Sequence, residues 1–311
     1  MPEKDYAWLP KQELLSFEEI HQLVDIFATC GVRKIHLTGG EPLLRRNLYE
    51  LISMLSQNSL LQDIALTTNG ILLQEHAQSL FTVGLHRITV SLDTLRSDRF
   101  QKLTGQNLLP QVLQGIKLAQ KVGFQKIKIN MVVIRGVNDD EIIPMIEFGK
   151  SIQSEIRFIE YMDVGGATKW SFAQVVSKKE ILQQITNHYG DCQKIVQDRS
   201  IPAEYYQLHD QTTFGIISST TSPFCHSCDR TRITADGMWY LCLYAKNGIN
   251  LRELLRNRTD PKEISALIQS IWKKRKDKGA EERLNLQNRG PLFQISHLQK
   301  NPHLEMHTRG G

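Results

Sequence analysis

Along the first half of the chain, short apolar runs alternate with longer stretches whose apolar positions recur every three or four residues. The runs are "RKIHLTG", "DIALTTNG", "HRITVSLD", "KIKINMVVI" and "EIRFIEYMD". Between them lie "NLYELISMLSQ", "EHAQSLFTVG", "LPQVLQGIKLAQKVG" and "DDEIIPMIEFGKSI". Strands alternating with amphipathic helices of this length predict parallel β/α units. Gly31, Gly84 and Gly123 stand where helices should stop, since the residue past a helix end commonly turns left-handed. Each strand finishes on polar residues: Thr38, Thr67 to Asn69, Ser91 with Asp93, and Glu160 to Asp163. In parallel β/α folds these strand ends face the ligand.

The pattern opens on a helix. In "LSFEEIHQLVDIFATCG", Ser16 and Glu19 form a capping box ahead of the apolar Leu23, Ile26 and Phe27. A helix covering a parallel sheet normally returns from a strand, and "MPEKDYAWLPKQELL" does not read as one. Either the helix simply caps the sheet or a strand is missing ahead of it. From about Ala167 the beat fades. "TDPKEISALIQSIWKKRKDKGAEERL" predicts a long helical stretch whose basic patch is a solvated face, and "LEMHTRGG" a loose tail.

Composition narrows the class. With 311 residues, 41% hydrophobic and 23% charged, the chain reads as globular. No run approaches the ~18 apolar residues of a membrane span. The polar "MPEKDYAWLPKQ" carries no signal-peptide stretch, so the expected location is cytoplasmic, or the mitochondrial matrix in a eukaryote. A net charge of +5 suits a phosphorylated substrate and is too mild for a nucleic-acid binder.

The five cysteines point to a metal rather than disulfides, because the count is odd and two stand as CxxC. In "PFCHSCDRTRITADGMWYLCLY", Cys225, Cys228 and Cys242 have the spacing C-x2-C-x13-C, with a turn at 235–237 that brings the third thiol back. Structural zinc wants four ligands. His226 lies inside the CxxC loop and is poorly aimed, and His209 has no supporting pattern. A [4Fe–4S] cluster tolerates three thiolates, leaving one iron for an outside ligand. Incomplete zinc and three buried thiols are the alternatives. If "RTRIT" is extended, Arg230 and Arg232 share one face about 7 Å apart, suiting a phosphate-bearing ligand. In "KIHLTGGEPLLRR", Gly39-Gly40 let backbone approach a ligand and Glu41 could accept from an amine. An ordinary turn into a helix with Pro42 near its start is the plain alternative.

Taken together, these residues resemble the radical S-adenosylmethionine (SAM) superfamily and, within it, the GTP 3′,8-cyclase family of molybdenum cofactor biosynthesis. The resemblance runs in order through "LLSFEEI", "LTGGEPLLRR", "LTTNG", "VSLD", "IRFIEYMDVG", "FCHSCDRTRITADGMWYLCL" and Gly310-Gly311. It implies an α/β fold: an incomplete parallel (β/α) barrel of radical SAM type over 1–166, lacking its first strand, and a C-terminal cluster-binding region over 167–311. It implies SAM contacts at Gly39, Gly40, Glu41, Ser91 and Met162. GTP contacts are implied at Lys34, His36, Thr67, Lys128, Arg157, Arg230 and Arg232, with the Gly310-Gly311 tail reaching the site. Cys225, Cys228 and Cys242 match an auxiliary [4Fe–4S] cluster whose open iron meets guanine. The implied reaction converts GTP to (8S)-3′,8-cyclo-7,8-dihydroguanosine 5′-triphosphate by SAM-derived radical chemistry. An unidentified electron donor feeds it, and a cyclic pyranopterin monophosphate synthase receives the product.

Two departures stand out. His36 occupies a position where the family usually has arginine, and a neutral imidazole grips a triphosphate less firmly. The family's first cluster is held by C-x3-C-x2-C, a run that occurs nowhere in this chain. The missing strand and the missing cysteines fall in one place, so the expectation is an N-terminal truncation. Such a chain has no catalytic residue for radical generation, holds at most one cluster, and exposes a sheet edge that favours association, as in a homodimer. Alternatives are a non-catalytic GTP- or metal-binding remnant, or another radical SAM enzyme with an auxiliary cluster.

Overall fold

A computed structural model describes residues 9–125, 127–164, 169–196 and 202–309. Helix α1 (Phe17–Thr29) begins on the expected capping box, with the Ser16 side chain accepting from the Glu19 backbone and the Glu19 side chain from the Ser16 backbone. Then come β1 (Lys34–Leu37), α2 (Leu48–Ser56), β2 (Asp63–Thr68), α3 (Leu73–Thr82), β3 (Arg87–Ser91), α4 (Ser97–Thr104) and α5 (Leu109–Val122). The beat continues through β4 (Lys128–Val133), α6 (Ile142–Ser151), β5 (Glu155–Glu160) and α7 (Lys178–Tyr189). Gly31, Gly84 and Gly123 close α1, α3 and α5 at φ of 101°, 96° and 130°.

The alternation does not fade at 167. After α7 come β6 (Gln193–Ile195), β7 (Glu204–Gln207) and β8 (Thr213–Ile217), and the sheet order is β1-β2-β3-β4-β5-β8-β7-β6. Strand β8 lies parallel to β5, while β7 and β6 fold back antiparallel. A hairpin thus interrupts the sixth β/α unit before its parallel strand arrives, which hid the unit from a reading by period. Residues on both sides of the 166/167 division share this sheet.

The helix-covered face of the sheet is the main core, with Ile64, Leu66, Ile88, Val90, Ile129, Met131, Ile156 and Phe158 packed under α2, α3, α5 and α6. Burying each such side chain contributes roughly 1.5–3 kcal/mol. Gly149 lets α6 lie directly on β5, because a Cβ there would stand 2.6 Å from Ile156 Cγ1.

The C-terminal part adds β9 (Arg232–Ile233), β10 (Met238–Tyr240) and β11 (Ile249–Asn250) as a small antiparallel sheet. Helices α8 (Leu251–Arg256), α9 (Pro261–Lys273), α10 (Gly279–Leu284), α11 (Ile295–Lys300) and α12 (Met306–Arg309) follow. Helix α1 joins the two parts. Its Val24 enters the main core, whereas Leu23, Ile26 and Phe27 pack on Trp239, Leu251, Leu255, Ile264 and Ile268. The Phe27 and Trp239 rings meet edge to face at 5.6 Å. So α1 caps the sheet and also carries the C-terminal core.

Two expectations need correction. The long helix expected up to Leu284 is two helices, broken between Lys273 and Gly279. Lys273, Lys274, Arg275, Lys276 and Lys278 crowd like charges there, and Arg275 turns inward rather than joining a solvated face. The tail is also not loose as far as Arg309, which is 3% exposed. Its guanidinium donates to the carbonyls of His303 at 2.8 Å and Leu243 at 3.0 Å and stacks 4.2 Å from the Tyr240 ring. Gly310 and Gly311 lie outside the described residues. No helix among the described residues is long and apolar enough to cross a membrane.

Candidate functional site

Strand alternation that buries isoleucine and leucine under the helices turns a polar row the other way. That inner wall carries Lys34 and His36 on β1, Asp63 and Thr67 on β2, Arg87, Thr89 and Ser91 on β3, Lys128 and Asn130 on β4, and Glu155 and Arg157 on β5. Pairing lines these residues up: Thr67 opposes Thr89, Thr89 opposes Lys128, and Lys128 opposes Glu155. One step along, Ser91, Asn130, Arg157, Gly215 and Tyr205 form the next row.

Side-chain contacts knit the wall. His36 Nε2 and Thr67 Oγ1 lie 2.6 Å apart. Lys128 Nζ donates to Glu155 at 2.7 Å and to the Tyr205 hydroxyl at 3.1 Å. Arg157 donates from Nε to Asn130 at 2.9 Å and from Nη2 to Thr89 at 3.3 Å. A side chain on Gly215 would crowd it, since a Cβ would stand 3.2 Å from both Arg157 Cγ and Tyr205 Cε1.

The wall is electropositive where it is enclosed. Burial lowers the pKa of Lys128, with Glu155 opposing, and burial also lowers that of Arg157. The His36 ring keeps access to solvent, yet the surrounding protein, and then the charges of Arg157 and Arg87, push it down to about 4. It is a neutral hydrogen-bonding group at neutral pH.

At the end of β1, Gly39 adopts φ 135° and opens the turn into a short 3-10 helix, Pro42–Leu44. The Glu41 carboxylate is engaged within the protein. It accepts from Leu43 N at 3.0 Å, the Thr68 hydroxyl at 2.7 Å and Asn69 N at 2.7 Å, tying the first two strand-end loops together.

The three cysteines come from a 3-10 turn, Cys225–Ser227 with Cys228 as its cap, and from the segment after β10. Cys225 and Cys242 share an apolar cluster with Met162, Val164, Tyr244 and Ala280. Gly279 leaves the room beside them, for a Cβ there would stand 3.2 Å from Cys242 Sγ. Burial raises the Cys225 pKa. Burial alone would raise that of Cys228 too, but the Arg230 backbone and charge and an Arg275 hydrogen bond hold it below the usual value. Arg230 packs 4.7 Å over the Phe224 ring with its Nε buried and without a hydrogen-bond partner. Such a donor is left for an anionic ligand. Burial, then the charge of Arg230, brings Arg232 down to about 10, with Cys242 and Cys228 opposing.

His226 stands exposed, 3.9 Å from Glu281, and His209 lies in the β7–β8 turn. Among the described residues, no three His, Cys, Asp or Glu side chains converge as ligands of one metal ion. Half-buried thiols with flanking guanidiniums are nevertheless a donor set whose chemistry suits an iron–sulfur group.

The wall and the cysteines meet. Arg232 acts on His36 and is itself influenced by Cys242 and Cys228, while Met162, just past β5, packs with Cys225 and Cys242. A buried carboxylate fixes this junction. Asp163 accepts from Arg289 Nε at 2.8 Å and Nη2 at 3.1 Å, from Arg283 Nε, and from the Tyr244 hydroxyl at 3.3 Å. Sequence reasoning missed Thr89, Asn130, Glu155, Tyr205, Arg275 and the Asp163 network. For β3, β4 and β5 a signal was present, namely polar side chains at alternate positions: Arg87, Thr89 and Ser91, then Lys128 and Asn130, then Glu155 and Arg157.

Residues 3–149 match the family described as the Radical SAM superfamily, and residues 154–281 match that described as Molybdenum Cofactor Synthesis C. The chain is 49% identical to GTP 3′,8-cyclase 3 of Mycobacterium bovis, covering 100% of this chain and 83% of that protein. It is 41% identical to GTP 3′,8-cyclase of Staphylococcus haemolyticus, over 90% of this chain and 83% of that one. In fold it is similar to Streptococcus suis SuiB bound to S-adenosylmethionine, with a TM-score of 0.59 at 17% identity, over 86% of this chain and 62% of the other.

Proposed function

From the premise that this chain belongs to the GTP 3′,8-cyclase family of the radical SAM superfamily, enzymes of molybdenum cofactor biosynthesis, we propose a division of labour between its inner wall and its cysteines. The family's chemistry requires SAM and a [4Fe–4S] cluster, which when bound supply a carbon-centred radical. The chain's own residues bind, orient and shield. Lys34, Thr67, Lys128, Arg157, Arg230 and Arg232 hold the triphosphate and sugar of GTP, with neutral His36 as a hydrogen-bonding rather than ionic contact. The loop of Gly39, Gly40 and Glu41, together with Ser91 and Met162, receives SAM. Cys225, Cys228 and Cys242 hold an auxiliary [4Fe–4S] cluster with one iron free for the guanine ring.

The observation that carries this reading is the junction. The polar inner face of the strands runs into the thiol site through Arg232 and Met162. The wall is cationic and suits phosphates; the thiols suit a base-binding metal centre. On this reading 1–166 supplies the ligand-facing barrel wall and 167–311 the cluster-bearing region, sharing one sheet rather than folding apart. Gly310 and Gly311 complete the proposed set of GTP contacts. The exposed β1 edge favours a homodimer, an external donor supplies electrons, and the product passes to a cyclic pyranopterin monophosphate synthase.

One fact favours a second reading of these 311 residues taken alone. No C-x3-C-x2-C run occurs in them, so none of them is assigned to the radical-generating cluster, and no step is derived through it. The stretch is then a platform for GTP and the auxiliary cluster. Titration of GTP into the reconstituted chain and into Arg230→Ala tests the nucleotide site common to both readings. Loss of one charge-assisted contact should weaken binding about tenfold or more, ~1.4 kcal/mol. Equal affinity would remove Arg230 and its orphaned donor from the site.

A further inference from the structure

The basic run that breaks α9 from α10 contains one residue that behaves unlike its neighbours. Lys273, Lys274, Lys276 and Lys278 are exposed, whereas the Arg275 side chain is only 10% exposed. Its Nη1 donates to the Cys228 carbonyl at 3.2 Å, and its Nη2 points to Cys228 Sγ at 3.7 Å. The guanidinium lies 4.6 Å over the Trp272 ring, with Asp277 3.4 Å from Nε. Withdrawing an arginine from water is costly unless its donors are met. Here two of its donors are met by Cys228, the guanidinium stacks on an aromatic face, and one carboxylate lies close as a charge partner. Surface packing would not need this arrangement, since four lysines already serve the solvated face.

We propose that Arg275 is a positioning residue for the iron–sulfur group at Cys225, Cys228 and Cys242, fixing the Cys228 sulfur and raising the group's reduction potential. This rests on the cluster assignment made above. A one-electron reduction adds negative charge to the iron and its sulfurs. A cationic N–H donor on one ligand sulfur favours that reduced state, and hydrogen bonds to ligand sulfurs are among the levers that set such potentials. Arginine suits the role because its planar fork reaches the carbonyl and the sulfur of one residue together. Lysine offers a point charge without that geometry.

The test is anaerobic reconstitution of the 311-residue chain and of Arg275→Lys and Arg275→Met, with iron counted and the potential measured by a spectroscopic redox titration. The expected result is comparable iron in all three and a potential falling from parent to Lys to Met. Equal potentials in fully loaded proteins would overturn the assignment of Arg275 while leaving the cluster reading intact. Should Met lose iron, the Lys variant decides. If Lys also lost iron, the role would be structural only, and the proposal would fall. A parent that binds no iron would sink the cluster assignment, and Arg275's role with it.

Discussion

Replacing Asp163 by asparagine tests how the two parts of the site are held together. Its side chain is wholly buried and faces Arg283, Arg289 and Tyr244. Burial alone would raise its pKa; the two guanidiniums outweigh that and hold it below the usual carboxylate range. Asparagine keeps the shape, removes the charge, and turns an amide N–H toward groups that are already donors. Two arginines are then left beside a neutral partner, a change of about 3–5 kcal/mol for a buried pair broken on one side. At about 2.1 cal/mol/K of unfolding entropy per residue, 311 residues give about 0.65 kcal/mol/K. If the chain unfolds as one unit, Tm should fall by about 5–8 °C. Because Tyr244 packs against Cys225 and Cys242, iron retention should fall too. Calorimetry at neutral pH and iron counting on the same sample provide the assay. A Tm within about 1 °C of the parent, with full iron, would refute the view that Asp163 joins wall to cluster. The pH sign is fixed as well. A lowered folded pKa gives stability that is complete above the unfolded value near 4 and is lost as pH falls through the lower folded value. Asp163→Asn should lack that part of the acid response.

Iron counting on the reconstituted chain should give about four per chain, and Cys225→Ala should abolish it; about eight, with deoxyadenosine formed from SAM, would contradict the reading of these 311 residues as a one-cluster platform. The His36 ring should titrate near 4 rather than 6.5 by NMR. Because the unfolded ring takes up its proton first as pH falls from 6.5 toward 4, His36 disfavours the folded state progressively over that window. A midpoint at 6.5 would mean that neither enclosure by the protein nor the wall arginines act on it.

Much of the fold was legible because local forces write it locally. The Ser16–Glu19 box, the left-handed glycines and the helix period between the strands of the first 151 residues produced the elements they announced. What failed was non-local. Strand β8 returns to β5 only after a helix and an antiparallel hairpin, and no window of sequence spans that path. Asp163 is 120 and 126 residues from its arginines, so nothing nearby marks it as their partner. The basic run looked solvated because four of its residues are; only contact with Cys228 singles out Arg275. The tail looked loose because the grip of Arg309 comes from Tyr240 and Leu243, far back in the chain. Part of the inner wall, Thr89, Asn130 and Glu155, lay in plain view as alternating polar residues but was passed over when the strands were taken as simply apolar. Cys225, Cys228 and Cys242 stand out by spacing alone, since few side chains offer thiols and three at such intervals serve few purposes.

The two faces of the strands pull selection in opposite directions. On the helix side, apolar side chains of matching volume serve robustness. On the other, Thr89 and Asn130 hold the Arg157 guanidinium and Thr67 meets His36, tasks that an aliphatic replacement abandons. A directed-evolution campaign rewarded only for heat tolerance would therefore drift toward sturdier descendants with a sealed and idle interior. Survival screens on this protein need a ligand-dependent reward beside the thermal one.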